Sequence, residues 1–221
     1  MKKFICLLLA LLILSSCAAL AAGKIEIRRQ SLFIDPDGGS NYYFAELENT
    51  GDKQVYVGNG VLTIQDSSGN ELLNKNVYVM GMNPALQPGE TMYVNEYIYE
   101  KFSDADISSF NCTFKSESWG TEYTRVPCVS ELNLSTDGSS INYVYVTVPN
   151  DTDETIYGYY VTVAVNSTEG QLVFSNCVIS TDIGIDPHSS VTARVLLNSA
   201  LMKYLKNNDI ELADIQAELM Y

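Results

Sequence analysis

The sequence predicts an all-β protein: two tandem antiparallel β-sandwich modules behind an N-terminal export signal. Three observations predict it. A short apolar run follows Lys2 and Lys3, a residue pattern returns at a spacing of 101 positions, and turn residues punctuate closely spaced strand-forming stretches.

The first residues read as targeting rather than structure. Phe4 to Leu14 is unbroken apolar sequence after two lysines. It has the length of a signal-peptide core and is too short to span a bilayer. The signal peptide is expected to occupy residues 1–21. Two cleavage sites compete. Leu14-Ser15-Ser16-Cys17 resembles the lipobox of bacterial lipoproteins, which implies diacylglycerol on the Cys17 thiol and a membrane anchor. Ala19-Leu20-Ala21 is an ordinary small-x-small site that would release a secreted protein.

The repeat accounts for nearly all of the remaining chain. A shift of 101 residues lays Asn41, Tyr42, Asn49 and Asp52 over Asn142, Tyr143, Asn150 and Asp153, and Tyr56, Gly69 and Val77 over Tyr157, Gly170 and Val178. Tyr43, Ala45 and Leu47 alternate with polar neighbours, and Val144, Val146 and Val148 do so in register. Alternation of period two at a fixed offset means that the same strands turn the same faces to a core. Past a two-residue deletion, Leu86-Gln87-Pro88-Gly89 lies over Ile185-Asp186-Pro187-His188. The modules are expected at residues 25–120 and 123–221, a tandem of domains rather than a solenoid.

Within a copy, Asp37-Gly38-Gly39, Asn49-Thr50-Gly51-Asp52, Ser68-Gly69-Asn70 and Pro88-Gly89 mark turns between stretches rich in Tyr, Val, Ile, Thr and Phe. Short strands at this spacing point to an immunoglobulin-like sandwich, without the cysteine pair and core tryptophan of antibody domains. One helix is expected at Ser199–Lys206, where good helix formers end in basic residues, and a weaker counterpart around Tyr97–Phe102.

Three segments together resemble the FxLYD-type domain: Tyr43 to Asp52, Leu62 to Gly69, and Leu86-Gln87-Pro88-Gly89-Glu90. The resemblance implies an immunoglobulin-like sandwich on a prokaryotic envelope protein, with no enzymatic activity attached to the fold. Leu62 and Gln65 stand where that family has Phe and Tyr, and Ser167 replaces the Asp in the second copy.

Charge narrows the partners. The net charge is −14, and removal of the leader takes Lys2 and Lys3 with it. Such a surface repels nucleic acid and anionic headgroups, so no nucleic-acid partner is expected. No cofactor is expected either. A zinc site or a histidine-dependent hydrolase would have to use His188, the single histidine, which falls in a turn over Gly89. Asp35 and Asp37 are weak calcium candidates, since acids in loops also serve ordinary turn chemistry.

Among fifteen tyrosines, Tyr42, Tyr93, Tyr97, Tyr99, Tyr143, Tyr159 and Tyr160 are candidates for an aromatic face, with Trp119 and Tyr123 near the module boundary as ligand-contact candidates. Packing of strands explains the same residues. Cys112 and Cys128 flank Gly120 symmetrically, so a hairpin at Trp119–Thr121 would oppose them and permit a disulfide at the joint. Cys177 is expected to be a small buried side chain.

The function these features imply is a lipid-anchored or secreted envelope protein that contacts a protein or glycan partner. A spacer without ligand is the first alternative, and a small carboxylate-based glycosidase-like enzyme the second.

Overall fold

The computed structural model describes residues 23–35, 41–102, 106–134, 142–180 and 182–221. Cys17 and the whole leader lie outside these residues, as does Asp37. The described chain is nearly all β, with every strand pair antiparallel.

The first module contains β1 (Ile25–Phe33), β2 (Asn41–Asn49), β3 (Val55–Gln65), β4 (Glu71–Val77), β5 (Ala85–Leu86), β6 (Thr91–Ile98) and β7 (Ser109–Glu117). One of its sheets has the order β1-β2-β6; in the other, β3 pairs with β4, β5 and β7. The second module contains β8 (Arg125–Pro127), β9 (Val129–Asn133), β10 (Asn142–Asn150), β11 (Tyr159–Ser167), β12 (Leu172–Ser180), β13 (Ser189–Leu197), α1 (Ser199–Asn207) and β14 (Leu212–Met220). Its sheets run β9-β10-β13 and β12-β11-β14-β8. Each copy therefore crosses between two sheets in the same sequence, giving the sandwich that the repeat predicts.

The match extends to small features. The Val55–Leu86 pair of the first module recurs as a single antiparallel bridge between Ile156 and Ile185. The register of β1 slips between Ile27 and Arg29, and the second copy breaks at the corresponding place into β8 and β9, which join different sheets. His188 takes φ +53°, as its counterpart Gly89 takes φ +81°. Both close the same turn, where glycine adopts the left-handed conformation without cost.

Asn49 and Asn150 tie each copy together in the same way. The Asn49 side-chain amide donates to the carbonyls of Lys53 and Leu86, both at 2.8 Å, and its oxygen accepts the Gly51 N–H at 3.0 Å. Asn150 donates to Glu154 and Ile185, again at 2.8 Å, and accepts from Thr152 N–H at 3.0 Å. Both asparagines are buried. An asparagine is needed because the site requires two donors and an acceptor from one side chain.

Two differences from the sequence expectations stand out. Tyr97–Phe102 is not helical: Tyr97 and Ile98 complete β6 opposite Tyr42 and Asn41, as aromatic and β-branched residues favour, and residues 99–102 form no helix. The hairpin at Gly120 does not form either. β7 pairs with β3 and β8 with β14, so Cys112 is buried in the first module's core while Cys128 packs in the second's. Cys112, Cys128 and Cys177 are all free thiols.

The segment that was expected to turn instead runs along the first module. Pro84 and Thr121 form a parallel bridge, Thr121 N–H donates to the Met82 carbonyl at 3.0 Å, and Ala85 N–H donates to that of Thr121 at 2.9 Å. Gly120 sits so close to this loop that a Cβ would stand 1.9 Å from the Asn83 oxygen. Only glycine permits that approach.

The modules share apolar packing. Phe33 and Phe44 belong to the first module's strands, yet they sit in one cluster with Val163, Val165, Phe174, Leu201 and Leu205 of the second. The consequence shows in the burial of equivalent strands. Phe44 and Glu46 are 1% and 2% exposed, while their counterparts Tyr145 and Thr147 are half-buried and exposed. One face of β2 serves its own core and the other is covered by the second module; β10 has only the first kind of cover.

Candidate binding cleft at the module joint

Where strand β6 and helix α1 approach across the joint, a cleft of about 220 Å³ opens. Tyr42, Phe44 and Phe174 supply its aromatic wall; Asn95, Asn176 and Asn198 supply its amides. Period-two alternation on β2 and β6 puts Tyr42, Phe44 and Asn95 on the face turned away from the first module's own core. Asn198 is positioned as the helix cap. Its oxygen accepts the Ala200 and Leu201 N–H groups at 2.8 and 3.2 Å, and its amide donates to the Tyr42 hydroxyl at 3.0 Å. Ser175 donates to the Val94 carbonyl at 2.8 Å, fixing β12 against β6.

The rings continue outward from the cleft. Phe174 and Phe44 lie 5.8 Å apart by centroid, Phe44 stacks on Tyr42 at 5.8 Å, and Tyr42 meets Tyr97 edge-on at 5.1 Å. Tyr97 meets Tyr99 at 4.4 Å, and Tyr99 is 77% exposed with the Lys75 ammonium 5.3 Å from its ring centre. A run of five aromatic rings thus leads from the shared core to solvent. These spacings suit aromatic pairing, which adds about 0.5–1.5 kcal/mol per pair beyond burial.

Beside the cleft, two charged clamps hold the modules. The Arg29 guanidinium donates to Glu46 at 2.5 Å and reaches across to the Asn166 oxygen at 2.9 Å and the Gly170 carbonyl at 3.0 Å. Burial works against the charge on Arg29, but the Glu46 carboxylate, with Tyr93 adding to it, holds its pKa above the ordinary value. Tyr93 hydrogen-bonds Gln216 of the second module. Arg125 forks onto Glu218 at 2.5 and 2.9 Å and donates to the Thr91 carbonyl at 2.6 Å. Burial pushes the Glu218 carboxyl up, against the pull of Arg125. A broader, open groove of about 650 Å³ runs beside the Arg29 clamp, past Arg28, Thr168 and Asp214.

Two groups near this joint set an alkaline limit. Burial pushes the Cys177 thiol from 9.0 up to about 12, and burial followed by the Glu46 charge pushes the Tyr93 phenol from 10.0 up to about 12. Both folded values lie above the unfolded ones, so the stabilisation is complete below pH 9 and is lost as pH rises towards 12. The fall approaches about 1.4 kcal/mol per pH unit for Cys177 alone. Urea midpoints measured from pH 8 to 11 are expected to hold steady at first and then decline; Cys177→Ala makes the decline shallower.

The remaining residues singled out by sequence fall elsewhere. Trp119 is 57% exposed, and its carbonyl accepts from the Asn83 amide at 3.3 Å. Tyr123 packs edge-on against Tyr160 at 5.5 Å, and its hydroxyl accepts the Met82 N–H at 3.4 Å. Neither lines the cleft. Tyr143 lies on the far sheet, with the Arg194 guanidinium 4.7 Å from its ring, while Tyr159 is buried. His188 stands exposed in its turn, with Nε2 2.9 Å from Asp153. Asp35 is buried, and its N–H donates to the Asn41 side chain at 2.9 Å. Among the described residues, no three of His, Cys, Asp or Glu gather as a metal-ligand set, and no helix is long and apolar enough to cross a membrane.

No protein-family model matches the chain, and no curated protein matches it. Among solved structures it is similar to a red sea bream transglutaminase at 12% identity and a TM-score of 0.26, over 79% of this chain. The similar region spans 27% of the transglutaminase. A likeness at that level carries no argument about fold or activity.

Proposed function

We propose that this chain is an exported, lipid-anchored envelope protein of the non-enzymatic binding type, and that the cleft at the joint is where it holds its ligand. The observation that carries the reading is the character of the cleft. Aromatic rings and amides line it with no carboxylate among them, and Glu46 and Glu218 at the joint are each engaged by an arginine. Such a surface recognises without an acid or base to transform what it holds. The glycosidase-like alternative needs a pair of carboxyl groups facing a bond, and these two carboxylates face guanidinium groups instead.

The FxLYD-type likeness belongs to the same proposal. Two of the segments that carry it meet in space: Asn49 N–H donates to the Glu90 carbonyl at 3.0 Å, and Gly89 N–H donates to that of Asn49 at 2.8 Å. An acylated Cys17 would stand only Ala18 to Lys24 ahead of β1, a tether of roughly 25 Å at full stretch. The first module would then face the membrane and the second point outward. Two or three acyl chains hold a protein stably where one does not. Metabolic labelling with palmitate tests the anchor: label on the wild-type protein and none on Cys17→Ala is expected, and an unlabelled wild-type protein overturns it.

A further inference from the structure

We infer that the outer face of the β9-β10-β13 sheet is where a second copy of this chain docks, face to face about a two-fold axis parallel to β10. The dimer does not depend on what the cleft at the joint holds. In the first module the matching face, on β1-β2-β6, carries Phe44, Glu46 and Tyr93 and is covered by the second module. Its counterpart on the second module lies open. Val129 is 77% exposed, Thr147, Thr192 and Arg194 are exposed, and Tyr143 and Tyr145 are half-buried.

Charge identifies the occupant. Glu131, Tyr145 and Arg194 stand abreast in one row across the three strands, with Tyr145 paired to Glu131 on one side and to Arg194 on the other. The equivalent row of the first module is Ser31, Phe44 and Asn95, which carries no charge. Neighbouring strands lie about 4.8 Å apart, so roughly 10 Å separates the strand of the carboxylate from that of the guanidinium. Both side chains are exposed, and among the described residues neither forms an ion pair. The Arg194 guanidinium rests 4.7 Å from the centre of the Tyr143 ring, which holds it against the sheet.

Sheets that pack face to face lie about 10 Å apart with their strands nearly aligned. Rotation by a half-turn about an axis parallel to β10 lays β9 of one copy over β13 of the other and keeps each row nearly level. Glu131 then faces the second copy's Arg194, Arg194 faces the second copy's Glu131, and Tyr145 meets Tyr145. An axis running across the strands would set Glu131 against Glu131 and Arg194 against Arg194, which is repulsive. The rest of the surface favours the same face. At a net charge of −14, copies repel each other over most of their surface, whereas one acid and one base leave this face neutral. The nine residues of β10, at about 3.4 Å each on a three-stranded sheet, make a face of roughly 400 Å². Counted on both copies with the relief of the side chains, the buried surface is on the order of 1,000 Å², the low end for a specific interface, so the dimer is weak and reversible.

Sedimentation velocity of the full chain, from about 1 μM to about 1 mM, tests the dimer. A reversible monomer–dimer equilibrium is expected. Glu131→Arg and Arg194→Glu each set like charges against one another across the axis and weaken association at least about tenfold, with unchanged circular dichroism. Mixed in equal amounts, the two variants associate again, because each supplies the charge that the other lacks. The double variant, Glu131→Arg with Arg194→Glu, dimerises as the wild-type protein does. A chain that stays monomeric at about 1 mM overturns the proposal. A dimer that ignores both single variants overturns this face as its interface. Loss of the dimer in both variants, without recovery in the mixture, overturns the two-fold arrangement.

Discussion

Phe44→Ala lowers the stability of the protein by about 3–5 kcal/mol, the usual cost of emptying a buried aromatic site, and it does so in both modules. Phe44 is 1% exposed on a strand of the first module, but its ring lies among Phe174, Val165 and Leu201 of the second. Truncation leaves a cavity between the modules, which neither can collapse to fill without breaking the Arg29 and Arg125 clamps. The repeat supplies an internal control. Tyr145 occupies the same strand position in the second copy, half-buried on a sheet face that the other module does not cover, so Tyr145→Ala costs less than about 1 kcal/mol. Urea unfolding of the two variants, followed by far-ultraviolet circular dichroism, checks the contrast.

Asn49→Ala and Asn150→Ala destabilise by similar amounts, roughly 2–4 kcal/mol each. Removing either amide withdraws a donor from two backbone carbonyls and strands at least one N–H that had been paired inside the protein, and a buried group left without water or a partner costs about 1–3 kcal/mol. In the first copy those carbonyls belong to Lys53 and Leu86; in the second they belong to Glu154 and Ile185, which also accept from the Thr152 hydroxyl and the Ile156 N–H. Asn→Asp at either site is expected to be at least as damaging, because a carboxylate has no proton to give those oxygens. Denaturant titration of the four variants measures this. Near-equal losses follow if the copies are built alike; a large loss at one site and none at the other does not.

What was legible in the sequence is what local pattern encodes. Alternation at Tyr43-Ala45-Leu47 and Val144-Val146-Val148 placed strands and core faces correctly, and all six of these residues are buried. The helix expected at Ser199–Lys206 from its helix formers and basic end forms at Ser199–Asn207, and the structure adds Asn198 as its cap. Even the role of His188 as a turn residue was readable from its alignment with Gly89.

The joint was not legible, because docking one sheet on another leaves no period in the chain. A partial signal existed. Tyr42-Tyr43-Phe44-Ala45 carries aromatics on both faces of one strand, as a strand covered twice does, while Tyr143-Val144-Tyr145-Val146 keeps its bulk of aliphatic core residues to one face. Arg29 and Glu46 carry no such signal: they pair on adjacent strands of the first module, and Arg29 also reaches Asn166 of the second. Tyr42, Tyr97 and Tyr99 were visible as aromatic candidates, whereas Asn95 and Asn176 look like ordinary strand amides until folding sets them beside the rings. The disulfide expected between Cys112 and Cys128 failed for a related reason: symmetry about Gly120 suggests a turn, but Gly120 serves a close approach to Asn83.

Native-state hydrogen exchange tests the fusion of the two copies most directly. Amides of Leu62 and Ile64 on β3 report the first core, and those of Val163 and Val165 on β11 the second. A shared core predicts that both sets open with the same free energy and the same denaturant slope, as one cooperative unit. Two distinct opening energies, with β11 protected at denaturant concentrations where β3 has already exchanged, would contradict it.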